Sequence, residues 1–239
     1  MLLGSLDLLF NDPLAFIQLF PVIVFTMGTA LLLGITVHEF SHAMAATRLG
    51  DATARSMGRL SLNPLRHLDP VGTLLLILVG FGWGKPVLVN PLYLRKGRLG
   101  MAIVSAAGPL SNFLTAGLFA MPIHLGLIEW HSPFSFTASL SGGIVEITAD
   151  LIGFIIFYNI VLGVFNLIPL FPLDGSKVVW GLLPRTIART FGRLEPYGPA
   201  ILIGIIGIDF VTDIGILRRT LIPVVNYLGH IIVGHGVFS

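Results

Sequence analysis

Apolar residues in this chain fall in long blocks separated by short polar loops, and each block of about 20 is long enough to cross a bilayer as a helix. Pro13–Thr36 holds 24 residues without a charge and runs into His38 without a break. Helix signals continue to Gly50, a C-cap glycine before Asp51, so the polar group around His38 lies within or at the end of one long helix. Pro21 either kinks that helix or splits a short piece from its start. No charged segment precedes the apolar block and no small-residue cleavage site follows it, which reads as a permanent span and not a signal peptide.

Residues 51–70 are polar, and Val71–Trp83 is too short to cross. Gly80, Gly82, Gly84 and Pro86 oppose a regular helix, so 71–91 is expected to be a short re-entrant or extended segment. Full spans are expected at Leu99–Ile128, interrupted by Gly108-Pro109, and at Gly142–Phe171, which ends in a turn around Pro169 and Pro172. Two more follow at Gly198–Leu217, carrying Asp209 and Asp213, and at Thr220–Val237. The pattern predicts an all-α membrane protein, a polytopic bundle of about five or six transmembrane helices forming one domain over residues 1–239. No internal repeat, low-complexity tract or linker interrupts it.

Composition agrees. Of 239 residues, 54% are hydrophobic and 11% charged, with a mean hydropathy of +0.91, against about 25% charged residues in a soluble domain. The absence of cysteine excludes a disulfide scaffold, iron–sulfur clusters and thiolate metal sites, so a metal must be held by His, Asp, Glu or backbone. The 14 Lys and Arg sit in a few loops and signal topology, not nucleic-acid binding. If 71–83 dips and returns, twelve lie on one side and only Arg218 and Arg219 on the other, which makes the majority side cytoplasmic.

His38-Glu39-Phe40-Ser41-His42 sets two imidazoles four residues apart, about 40° of rotation and 6 Å of rise on a helix, so both reach one tetrahedral Zn²⁺. Glu39 is placed to take a proton from water activated by that metal and return it to a leaving amine. The alternative, a polar cluster at a helix end, leaves three ionisable groups beside a long apolar block with no bound cation. For a third ligand the contenders are Asp174, otherwise read as a helix N-cap, and Glu146 with Asp150 four residues on. Glu146 begins its span on the far side from where His42 leaves the membrane, so topology favours Asp174.

With these residues placed, the chain resembles the site-2 protease family of intramembrane zinc metalloproteases, in its short bacterial and archaeal form without PDZ or CBS domains. The likeness is carried by Val37–Ala43, Asn63–Thr73, Gly82–Val87, Ala107–Asn112 and Asn166–Gly175, over roughly residues 15–185. It implies one Zn²⁺ per chain on His38, His42 and Asp174, Glu39 as general base, and a catalytic core over about 15–185 followed by C-terminal helices at about 198–237. Cleavage would fall in transmembrane or membrane-flanking segments of other membrane proteins, near the cytoplasmic face of a multi-pass protein of the cell membrane. Asn166 matches a family asparagine near the zinc and is expected to steady the substrate or oxyanion.

Asn112 reads as a hydrogen bond to a neighbouring helix, with substrate contact as the alternative, and Gly108 as a close approach to the catalytic helix. His67 and Asp69 read as structural, and His124, His131, His230 and His235 as interfacial. Asp209 and Asp213 mark either a polar path or gate, or a helix end facing water. A substrate helix hides its carbonyls in its own hydrogen bonds, so an unwound stretch must bind. Residues 80–91, with Val87 and Val89, are expected to pair with it as an added strand. The competing class is a zinc-binding transporter or non-catalytic membrane chaperone, which would more often spread ligands along facing helices and lack the adjacent Glu.

Overall fold

The computed structural model describes residues 13–69, 72, 84–133, 143–212 and 214–238. The expected dip at 71–83 lies outside the described residues, apart from Gly72, as does Asp213. The described chain is helical: α1 (Pro13–Arg48), α2 (Thr53–Ser56), α3 (Gly97–His124), α4 (Gly143–Asn166), α5 (Asp174–Leu182), α6 (Arg185–Gly192), α7 (Gly198–Thr212) and α8 (Ile216–Val233), with short 3-10 turns at Pro64–Arg66 and Glu195–Tyr197. An isolated bridge joins Leu68 to Gly84. Pro21 sits inside an unbroken α1.

Four of these helices are long and apolar enough to cross a membrane, over Phe20–Arg48, Gly97–His124, Gly143–Asn166 and Ile216–Val233. Helices α1, α3 and α4 pack against one another, and α8 covers α3 and α4. One apolar cluster joins Ala116 and Ala120 of α3 to Ile156 and Ile160 of α4 and Val225 of α8. A second joins Ile23, Met27 and Leu31 of α1 to Phe154 and Ile155 of α4. Small residues at the crossings let the helices approach, which matters where lipid supplies no hydrophobic drive.

The C-terminal helices depart from expectation. Helix α7 has 15 residues, about 22 Å of rise, short of the roughly 30 Å hydrocarbon core. The Asp209 carboxylate accepts hydrogen bonds from Ile216 N (2.5 Å) and Leu217 N (3.2 Å), so it caps α8 and puts Arg218 and Arg219 in that helix's first turn. His124, at the end of α3, bonds Ile232 O near the end of α8 at 2.8 Å, so these two helices run the same way. Arg218 and Arg219 therefore lie at the end of the bundle where α3 begins, with the other twelve basic residues. The expected split of twelve to two becomes 14 to none, because α7 does not carry the chain across.

Candidate metal centre

His38 and His42 lie one turn apart on α1, ten and six residues before its end, and both are buried. Asp174 opens α5, directly after the tight turn that follows α4. Two contacts set its position. Gly175 lies against the end of α4, where a Cβ would meet Leu167 O at 2.2 Å. At its other end α5 is pinned to the start of α3: Gly181 abuts Ala102, and Arg98 donates to Leu183 O at 3.1 Å and lies over the Trp180 ring. Leu173, not Asp174, is the N-cap residue of α5, so the carboxylate is left for other work.

That carboxylate meets both imidazoles. Asp174 Oδ2 is 3.0 Å from His38 Nε2 and 3.0 Å from His42 Nε2, and the two Nε2 atoms are 3.0 Å apart. The far side of each ring is tied down: His38 Nδ1 to Asn112 Oδ1 at 2.6 Å and His42 Nδ1 to Val104 O at 2.7 Å. Both partners accept, so each ring carries a proton on Nδ1, and in its neutral, metal-binding form it turns a bare lone pair inward. Two bare nitrogens and a carboxylate oxygen in mutual contact repel unless a cation lies among them. Four ligands about 2.0–2.1 Å from a tetrahedral Zn²⁺ stand roughly 3.3 Å apart, so this donor set fits the ion with little adjustment. Gly108 of α3 backs it, for a Cβ there would fall 2.4 Å from His42 Nε2 and 2.6 Å from His38 Nε2.

Glu39, next to His38 on α1 and half-buried, accepts a hydrogen bond from Val87 N at 3.1 Å. The segment bearing Val87 is held at both ends. Lys85 N donates to His67 O at 2.7 Å beside the Leu68–Gly84 bridge, and Asn90 N donates to Asp51 Oδ2 at 2.7 Å. Asp51 is fully buried just past α1, and its Oδ1 also accepts from Thr53 N (2.9 Å) and Thr53 Oγ1 (2.5 Å). Burial alone would raise its pKa, but these hydrogen bonds outweigh it and lower the value.

The remaining expectations sort as follows. Asn112 is fully buried behind His38, its Nδ2 donating to Gly34 O (3.1 Å) and to Asn159 Oδ1 (2.8 Å). Asn166 is half-buried and its Nδ2 bonds Leu162 O of its own helix at 3.0 Å. Glu146 and Asp150 instead flank His131, at 3.2 Å and 2.9 Å, at the other end of α4. His67 Nε2 bonds Ser61 O at 2.7 Å, and Asp69 accepts from Gly72 N at 2.9 Å. Sequence reasoning passed over Asn159, Asp51, the Val104 carbonyl and the Val87 amide. An asparagine in the middle of an apolar span was the visible sign for the first, since a polar group at membrane depth needs a partner.

The model of peptidase family M50 matches residues 26–196. The chain is 37% identical over 202 residues to "Putative zinc metalloprotease YwhC" of Bacillus subtilis (strain 168), covering 83% of this chain and 84% of that one. It is 30% identical over 197 residues to "Putative zinc metalloprotease Rip2" of Mycolicibacterium smegmatis, covering 80% and 68%. No solved structure matches. A family match over most of the chain, together with a donor triad that calls for a cation, means that the chain belongs to peptidase family M50, the site-2 protease family of intramembrane zinc metalloproteases.

Proposed function

We propose that His38, His42 and Asp174 hold the zinc of this protease and that Glu39 is its general base, acting on membrane-embedded segments of other membrane proteins near the cytoplasmic face. The observation that carries this is the convergence of two imidazole nitrogens and a carboxylate oxygen at 3.0 Å beside the Glu39 carboxylate on α1. When bound, zinc supplies a Lewis acid that polarises the scissile carbonyl and acidifies water. Glu39 takes the proton of the attacking water on a carboxylate oxygen and delivers it to the leaving amide nitrogen. Val87 N keeps that carboxylate oriented meanwhile. Asn112 holds a ligand, not the substrate, and Asn166 at the end of α4 is the residue left to steady the substrate or the oxyanion.

His38 stands ten residues from the basic end of α1 and Gly108 eleven from the basic end of α3, about 15 Å along either axis. Water therefore reaches the site most directly from that end. Fourteen Lys and Arg gathered there support a cytoplasmic orientation by the positive-inside rule. The unwound substrate is proposed to lie along residues 84–90. Val89 N makes no hydrogen bond among the described residues and remains for a substrate carbonyl. Val89→Pro then raises KM or abolishes cleavage with zinc retained; unchanged cleavage would remove the strand-pairing idea.

The test of the main reading is proteolysis of a co-expressed single-span substrate. Glu39→Gln is expected to lower the rate by about 10²–10⁴-fold while keeping one zinc per chain. Full activity in that variant, or zinc flux into vesicles without any cleavage, would overturn it.

A further inference from the structure

Resting on the zinc site just proposed, we infer that Asn159, in the middle of α4, is a positioning residue that fixes the tautomer of His38 through the Asn112 amide. Asn159 is fully buried, and its side chain has two partners. Its Nδ2 donates to Ile155 O at 2.8 Å, and its Oδ1 accepts from Asn112 Nδ2 at 2.8 Å.

The polarity of this chain of groups is not free. Ile155 O is a backbone carbonyl and can only accept, which forces the NH₂ of Asn159 toward it and the oxygen of Asn159 toward Asn112. Asn112 must then present its NH₂ to Asn159, where its second hydrogen goes to Gly34 O at 3.1 Å, another group without a proton. Its oxygen is left facing His38 Nδ1 at 2.6 Å. A neutral imidazole facing that oxygen carries its one proton on Nδ1, so Nε2 is bare and points at the metal position. Two backbone carbonyls, Ile155 O of α4 through Asn159 and Gly34 O of α1 directly, thus set which nitrogen of His38 can bind a metal. His42 needs no such relay because Val104 O contacts it directly.

Without Asn159, one hydrogen of the Asn112 amide has no acceptor, and Gly34 O alone then opposes turning that amide over, which puts NH₂ against His38 Nδ1. His38 then accepts at Nδ1 and carries its proton on Nε2, where the metal must go. Binding zinc requires moving that proton or flipping the amide back, so affinity falls with the fold retained. Gly34 closes the arrangement from α1, since a Cβ there would come within 3.4 Å of both polar atoms of Asn159 and 2.9 Å of Leu162 Cδ1.

The test is zinc affinity of the full-length protein in detergent, measured by competition with a chelator, in a double-mutant cycle of Asn112→Leu and Asn159→Leu, with Co²⁺ spectra of each. Asn159→Leu is expected to weaken zinc about tenfold, within the usual range for residues that orient ligands, and to shift the Co²⁺ bands. Because Asn159 acts through Asn112, the double variant should bind no more weakly than Asn112→Leu alone. Additive losses, or wild-type affinity and spectrum in Asn159→Leu, overturn the inference. Asn159→Ala replaces the leucine variant in the same cycle if that one fails to fold. Wild-type protein that binds no zinc would instead overturn the metal site itself.

Discussion

Gly108 shows how little room the site leaves. A methyl group there would lie 2.4 Å and 2.6 Å from the Nε2 atoms of His42 and His38, and its own helix cannot yield because α3 packs on α1 and α4. Gly108→Ala is therefore expected to lower zinc affinity on the order of 10–100-fold while leaving the helical circular dichroism unchanged. Metal analysis after gel filtration checks this, and a fully loaded alanine variant would contradict it. At this scale the sequence was informative wherever spacing alone fixes geometry. His38, Glu39 and His42 follow from one turn of helix, whatever packs around them. Asp174 needed topology as well, since it arrives 132 residues after His42. Asn159 stood out as a polar residue in the apolar stretch of α4, but nothing around it says which face of that helix meets α3.

Among the elements, the stretch from Lys85 to Asn90 forms neither helix nor sheet, and its position depends on Asp51. The Asp51 carboxyl has a depressed pKa in the folded protein. Its hydrogen bonds thus contribute fully above the ordinary carboxylate pKa of about 3.9 and are lost as pH falls through the lower folded value. Hydrogen exchange at Asn90 should stay slow above that ordinary value and quicken as the solution is acidified further. Asp51→Asn should make that exchange fast at neutral pH and remove its acid dependence. The same variant faces Asn90 N or Thr53 N with an NH₂ group. An unpaired buried donor costs about 1–3 kcal/mol, so a lower melting temperature with zinc retained is expected. Slow exchange at Asn90 in the variant would show that the segment is held by other contacts. Asp51 was legible only as a residue after a helix cap; that it holds the Asn90 amide 39 residues later is a tertiary fact.

For the whole molecule, the direction of α8 decides the topology. With α7 too short to cross, Arg218 shares a side with Arg48 and Arg193 and not with the 125–133 loop. The chain contains no cysteine, so single cysteines report cleanly. In intact cells a cysteine at Leu127 should react with a membrane-impermeant maleimide, while cysteines at Lys96 and Arg218 react only after permeabilisation. Labelling of Arg218→Cys in intact cells would restore the split of twelve to two, and labelling of Lys96→Cys would invert the protein.

By itself the sequence determined the solvent of the fold and the local geometry of its paired histidines. Long apolar blocks can satisfy their backbone only as helices in lipid, and H-E-x-x-H is a local geometry. Tertiary structure decided what is not local: which carboxylate returns to the imidazoles, how α7 and α8 divide the last 40 residues, and which asparagines orient His38. Helices that are apolar on every side carry no record of their facing. Only packing, through glycines that admit close approach and polar groups that must find partners away from water, selects it.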